Sequence, residues 1–374
     1  MATPTETIFT TMTRLAQETG AVNLGQGFPD DGEPPALLEA AAAALRAGHN
    51  QYAPLPGVPA LREAIAAHQH RHYGIALDPA TQVQVTFGAT EAIASALLAL
   101  VGPGDEVAML DPSYDSYGAI VAMAGGVAKP IVLAPPDWRV TTSEAIGPQT
   151  RLLLLNSPHN PTGHVLDAGE LTLLAQACVE HDVTVITDEV YEHLVFDGRH
   201  VPMATLPGMG SRTLTISSLG KTHSVTGWKI GWATGPAGLV GAVRGVKQFL
   251  SFAGGTPLQV AAATGLTLDD EAAELSASLR ARRDRLAAGL TEAGFSVLPT
   301  AGTYFLNADT RPLGEADAAA LSLRLPHEAG VVAIPLSAFT VAPTHETRAL
   351  LRFAFCKRDD VLDEGIDRLI KWRA

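Results

Sequence analysis

Residues 183–191 read VTVITDEVY, a β-branched run that ends directly in Asp188, with Tyr191 three positions further on. A run this short, bounded by a polar residue, predicts a buried strand rather than a helix. Working outward, RLLLL (151–155) opens into NSPHNPTG, and TLTIS (213–217) opens into SLGKTHSVTGWKIGW. QVQVTF (82–87) and EVAML (106–110) complete a set of strand-like runs. Helical spacing over 90–101 and 171–180 supplies crossovers of the size that parallel strands need. The alternation predicts an α/β chain.

Composition agrees with that class and removes others. The 374 residues are 47% hydrophobic and 17% charged, enough apolar material for two domains with their own cores. A net charge of −13 leaves no global basic field for nucleic acid or an anionic membrane, and neither partner is expected. The Arg-rich stretch SLRARRDRLAAGL (278–290) is read as a solvated helix face. Cys178 and Cys356 stand far apart with no CxxC spacing, so neither a disulfide framework nor a zinc site is expected, and a reducing compartment fits. The longest apolar run, AIASALLALV (92–101), is too short to span a bilayer and the first residues lack a leader pattern, so a soluble cytoplasmic protein is expected.

In open α/β sheets ligands gather beyond the carboxyl ends of the strands, so the residues following each run are candidates. After the first comes GATEAI, where Gly88, Ala89 and Thr90 open a helix whose free N–H groups suit a phosphate. Tyr114 follows the second run, Asn156 and Asn160 the third, Asp188 and Tyr191 the fourth, Ser218, Lys221 and Lys229 the fifth. Singly each has an ordinary structural use as cap, turn former or solvated charge. Together they supply a lysine for a Schiff base, a carboxylate for a pyridine nitrogen, donors for a phenolate and a phosphate cradle, which is the set pyridoxal phosphate requires. Competing motifs fail: GKT at 220–222 has Thr215 where a nucleotide-binding loop needs Gly, and no GxSxG or HExxH occurs. His68, His70 and His72 alternate on a polar stretch read as exposed, without metal-ligand spacing, and no metal is expected.

The motifs NLGQGFPD, NQY, GATEAI, NSPHNPTG, ITDEVYEHL, SSLGKTHSVTGWKIGW and LRFAFCKRDD span nearly the whole chain and resemble class I/II aminotransferases of the type I pyridoxal phosphate fold, in the kynurenine and glutamine aminotransferase branch. TDEVYEHLVFD, VAIPLSAF and RFAFCKRDD are most similar to the actinobacterial N-succinyldiaminopimelate aminotransferases. The resemblance implies a large domain (40–265) with a mostly parallel sheet flanked by helices, and a smaller α+β domain formed by 1–39 and 266–374. It implies that Lys221 is the Schiff-base lysine, Asp188 the pyridinium partner, Asn160 and Tyr191 the phenolate ligands and Tyr114 the ring-stacking aromatic. Gly88, Ala89, Thr90, Ser218 and Lys229 match the phosphate site, and Gly27 and Arg352 the positions that hold the substrate carboxylate, with Asn160 between cofactor and substrate. Tyr52 matches a residue that reaches the cofactor phosphate of a neighbouring subunit, which implies a homodimer.

The implied reaction moves an amino group to a 2-oxo acid, with 2-oxoglutarate as the expected acceptor and N-succinyl-L,L-diaminopimelate, of lysine biosynthesis, as the expected donor. A broad methionine, glutamine or kynurenine aminotransferase and a cysteine-conjugate β-lyase are the alternatives. Ala253 stands where some kynurenine-type members carry His, and the segment Ala253-Gly254-Gly255 is expected to leave room for a long donor side chain.

Overall fold

A computed structural model describes residues 7–373. Its centre is a seven-stranded sheet whose strands in chain order are β1 (Val83–Phe87), β2 (Glu106–Asp111), β3 (Val127–Val132), β4 (Thr150–Asn156), β5 (Thr184–Asp188), β6 (Thr213–Ser218) and β7 (Ile230–Thr234). Their spatial order is β1-β7-β6-β5-β4-β2-β3, and every pairing is parallel except the two made by β7. Leu152 to Leu155 and Val185 to Ile186 are shielded on both faces, as continuous apolar strands under helices must be. Each such side chain contributes about 1.5–3 kcal/mol of burial.

Two strands escape a reading by apolar runs. β3 carries Lys129 and Pro130 and lies at the sheet margin, where a missing N–H costs no ladder bond. β7 is embedded in the loop-like sequence that follows Lys221. The helix after β1 spans Gly88–Leu100, and the one after β4 spans Ala168–Glu180, started by a capping box in which Asp167 and Glu170 satisfy each other's backbone N–H groups.

A second, four-stranded sheet is built from β8 (Ser296–Val297), β9 (Phe305–Asp309), β10 (Ile334–Pro335) and β11 (Leu350–Ala354), ordered β10-β11-β9-β8 and antiparallel throughout. A break after Gly265 separates the helix Thr256–Gly265 from the long helix Asp269–Glu292. The terminal helix Asp359–Arg373 buries Leu362, Ile366 and Leu369. Asp359 and Asp360 lie in its first turn, where their charge favours the helix dipole.

Two expectations are overturned. Arg282 and Arg283 are not solvated: their side chains are 13% exposed, with Arg282 bonded to Asp31 and Asp359 and Arg283 to Asp197 and the Thr300 carbonyl. They tie the long helix to the N-terminal segment and to the loop before β9. His68 is not exposed either, because the helix Pro59–Tyr73 turns it inward while His70 faces solvent.

Candidate active site

The strand ends converge as register dictates. Asn156 lies opposite Asp188 at the carboxyl ends of β4 and β5, and Ser218 ends β6 beside them. Because β7 runs the other way, it is its beginning, at Lys229 and Ile230, that reaches this edge. The four-stranded sheet closes the opposite side with Arg352 from β11 and Phe305 from β9. Between them lies a cleft of about 470 Å³. Gly27, Gly88, Ala89, Thr90, Tyr114, Asn160, Asp188, Tyr191, Ser218, Lys221, Lys229 and Arg352 all line it.

Tyr52 does not. It is 83% exposed, edge-on to Phe252 at 5.7 Å, and lies outside the cleft of its own chain. The segment Ala253-Gly254-Gly255 is likewise absent from the cleft lining, and Gly254 instead packs on Phe87, where a Cβ would come within 2.6 Å of the ring. The extra room expected from it is therefore not in this chain's own cleft.

Lys221 sits in a short helical turn, Leu219–Thr222, directly after β6, and its Nζ donates to the Tyr304 hydroxyl at 2.8 Å. Burial, with Lys229 and Arg352 adding to it, lowers its amine to about 8, although Cys356 and Asp188 pull the other way. The amine is thus far closer to its nucleophilic form at neutral pH than a solvated lysine. Tyr304 donates in turn to the Gly27 carbonyl. Gly27 must be glycine, since a Cβ there would meet Tyr304 Cε2 at 2.6 Å.

Burial raises the Asp188 carboxyl to about 6, even though the Tyr117 hydroxyl donates to Oδ2 at 2.6 Å and the Val190 N–H to Oδ1 at 3.2 Å. Asn156 fixes the strand end by donating to the Asp188 carbonyl at 2.8 Å, and its Oδ1 receives the Asn160 N–H at 2.8 Å. Arg352 is buried between the Phe305 and Phe339 rings, its Cζ 3.9 and 4.4 Å from their centroids. It donates to Asn160 Oδ1 at 2.9 Å and to the Gly25 carbonyl at 3.1 Å, while its buried Nε has no partner among the described residues. Burial lowers its guanidinium to about 10, which leaves it charged at physiological pH.

This donor set fits pyridoxal phosphate. Gly88, at φ +74°, leaves a hollow that a Cβ would fill, 3.1 Å from Lys229 Cε, beside the first N–H groups of the helix it opens. An anion at that corner meets backbone donors, a hydroxyl and an ammonium together. At the other end the buried Asp188 carboxylate suits a protonated ring nitrogen, and between the two stand the Lys221 amine and the donors of Asn160 and Tyr191. Tyr304, Phe305 and Tyr117 join the site without having been singled out from sequence. Tyr117 lies in DPSYDSY (111–117), three residues beyond Tyr114, and Tyr304 and Phe305 lie in GTYFLNA (302–308), far from the other site residues in sequence.

The sequence profile of "Aminotransferase class I and II" matches residues 19–369. A Mycobacterium tuberculosis protein named "Probable N-succinyldiaminopimelate aminotransferase" is 54% identical over 97% of this chain and 95% of its own length. The Escherichia coli methionine aminotransferase is 42% identical over 97% of this chain and 95% of its own length. The solved N-succinyldiaminopimelate aminotransferase of Mycobacterium tuberculosis superposes with a TM-score of 0.95, covering 98% of this chain and 97% of that one at 54% identity. With strand ends, cleft and sequence in accord, the chain belongs to the class I and II aminotransferases and is a pyridoxal phosphate-dependent enzyme of the type I fold.

Proposed function

We propose that the enzyme transfers the amino group of N-succinyl-L,L-diaminopimelate to 2-oxoglutarate. The convergence of Lys221, Asp188 and Arg352 in one cleft carries the aminotransferase chemistry, and the likeness to the mycobacterial protein supports the donor. Bound pyridoxal phosphate supplies the electron sink for the bond broken at the donor Cα. Lys221 Nζ takes the Cα proton and later returns one, a general base and acid within one residue. Asp188, braced by the Tyr117 hydroxyl, holds a proton at the ring nitrogen. Asn160 and Tyr191 would donate to the phenolate oxygen, Ser218, Lys229 and the N–H groups of 88–90 would hold the phosphate, and Tyr114 would supply the aromatic partner of the ring. Arg352, with Gly27 at its side, binds the α-carboxylate through the donors that Asn160 and Gly25 leave free.

In this reading residues 40–265 carry the cofactor groups, and 1–39 with 266–374 carry the carboxylate anchor. The working unit is a homodimer in a reducing, cytoplasmic setting. Tyr52, Phe249 and Phe252 present exposed rings, 83%, 84% and 44% accessible, and the two described cysteines are unpaired thiols. Among the described residues no helix is long and apolar enough to cross a membrane.

A broad methionine-type aminotransferase is the second reading. Phe9 and Phe28 line the mouth of the cleft, Arg352 is the one guanidinium lining it among the described residues, and the Escherichia coli methionine aminotransferase is a relative. Single-turnover spectra with a panel of amino donors, followed by analysis for glutamate or pyruvate, decide. The fastest half-reaction is expected with succinyldiaminopimelate. A faster one with methionine or glutamine selects the second reading, and pyruvate released from cysteine conjugates would mark β-lyase chemistry.

A further inference from the structure

Away from the cleft, three imidazoles meet. His68 and His72, four residues apart, share one face of the helix Pro59–Tyr73, and His193 comes from the segment after β5. One ring nitrogen of each lies within 4.8 Å of the others, and His68 Nε2 stands 2.7 Å from His193 Nε2. We propose that these three histidines form a binding site for a divalent transition-metal cation of the zinc type, separate from the catalytic cleft.

The chemistry of the donors favours that occupant. Neutral imidazole is a preferred ligand of zinc, nickel and copper. Burial lowers His68 to about 4 and also lowers His193, so both rings carry a lone pair at neutral pH. His72 donates Nε2–H to Asp269 Oδ1 at 3.2 Å, which in the neutral ring leaves Nδ1 as the free electron pair. A carboxylate behind a histidine is the support found at metal sites, and Asp269 is itself fixed by Arg71 at 2.7 and 2.9 Å. Four-coordinate zinc, with bonds of about 2.0–2.1 Å, sets its nitrogens about 3.4 Å apart. The observed separations, from 2.7 Å to within 4.8 Å, bracket that value, so shifts on the order of 1 Å complete the site.

Unmet demands around the rings point the same way. Glu192, next to His193, is buried, with Oε1 accepting from Ser217 Oγ at 2.6 Å and Oε2 without a hydrogen-bond partner among the described residues. Gln69 Oε1 is also buried and unpartnered, while its Nε2 faces His68 Nδ1 at 3.5 Å. Turning that amide over would give His68 Nδ1–H an acceptor and bare Nε2 for the metal. A cavity of about 10 Å³ beside the cluster is lined by His68, Glu192, His193 and Asp269, while His72 lines the adjoining groove together with His193 and Asp269.

The cation would act as a clamp. It would join the helix Pro59–Tyr73 to the segment two residues beyond Tyr191, next to the start of the long helix at Asp269. The reaction itself would not pass through it. The test uses tag-free holoenzyme stripped with a chelator and then titrated with Co²⁺ and Zn²⁺. Expected are one equivalent of metal per chain, the visible bands of a nitrogen-ligated Co²⁺, and a melting temperature that rises with Zn²⁺ while the cofactor absorbance stays unchanged. His72→Ala, on the exposed side of the cluster, and His68→Gln should each weaken Co²⁺ binding by more than roughly 100-fold, beyond what loss of a supporting partner costs. Absence of the Co²⁺ bands, or equal uptake by wild type and both variants, overturns the proposal.

Discussion

Arg352 and Asn160 orient each other across the cleft: the guanidinium on β11 donates to the Asn160 side-chain oxygen at 2.9 Å, which leaves the amide nitrogen as the donor Asn160 has to offer. In the proposed function this couples the carboxylate anchor to the phenolate donor. Arg352→Ala and Asn160→Ala, singly and together, should be non-additive in kcat/KM, with a coupling on the order of 0.5–3 kcal/mol. Strict additivity in a double-mutant cycle would show the contact to be idle.

Arg352→Lys keeps the charge but loses the planar fork that lies between Phe305 and Phe339. Losing charge-assisted bonds worth about 1.5–3 kcal/mol should raise KM for amino donor and oxo acid alike by roughly 10- to 150-fold. Cofactor absorbance should be retained. Unchanged KM values for both substrates would remove Arg352 from the site.

The Lys221 amine, lowered to about 8 chiefly by burial, binds its proton less firmly in the fold than in water. Its free-base fraction therefore grows as pH rises through 8 rather than through the ordinary lysine value. Pyridoxal phosphate uptake by the cofactor-stripped chain, followed by absorbance, should accelerate with pH up to about 8 to 9 and then level off. Lys221→Ala should show no such visible band. A rate still climbing steeply at pH 10 would contradict the lowered value.

Tyr304→Phe removes the hydroxyl that Lys221 reaches at 2.8 Å and deprives the Gly27 carbonyl of its donor. With about 1–3 kcal/mol at stake, kcat should fall by roughly 5- to 150-fold, with KM changed less because Arg352 is untouched. The half-reaction rate measured by stopped flow checks this directly.

Gly27→Ala should lower the melting temperature and activity together, since the new methyl would press on Tyr304 and Phe305 in a packed wall, at a cost of about 1–3 kcal/mol. Thermal unfolding of the holoenzyme reports it.

The sequence made the strand ends readable because each apolar run stops at a residue that cannot be core: Asn156, Asp188, Ser218. That single physical contrast located most of the cleft lining. It could not locate Tyr304, whose role depends on Lys221, 83 positions away. Nor could it see β3, where Lys129 and Pro130 interrupt the apolar run at a sheet margin. Helical phase, rather than hydrophobicity, turns His68 inward, and only the fold brings His193 to it across 125 positions. Arg282 and Arg283 misled for a related reason, since their carboxylate partners Asp31, Asp197 and Asp359 come from other segments, while Arg280 and Arg285 do face solvent.

Since β6 and β7 are antiparallel, one short connection carries both Lys221 and Lys229, so the two side chains are anchored together on the seven-stranded sheet. Arg352 belongs to the other sheet. With the roles proposed above, any shift of one sheet against the other would change the distance from the carboxylate anchor to the cofactor groups while leaving the spacing of Lys221 and Lys229 as it is.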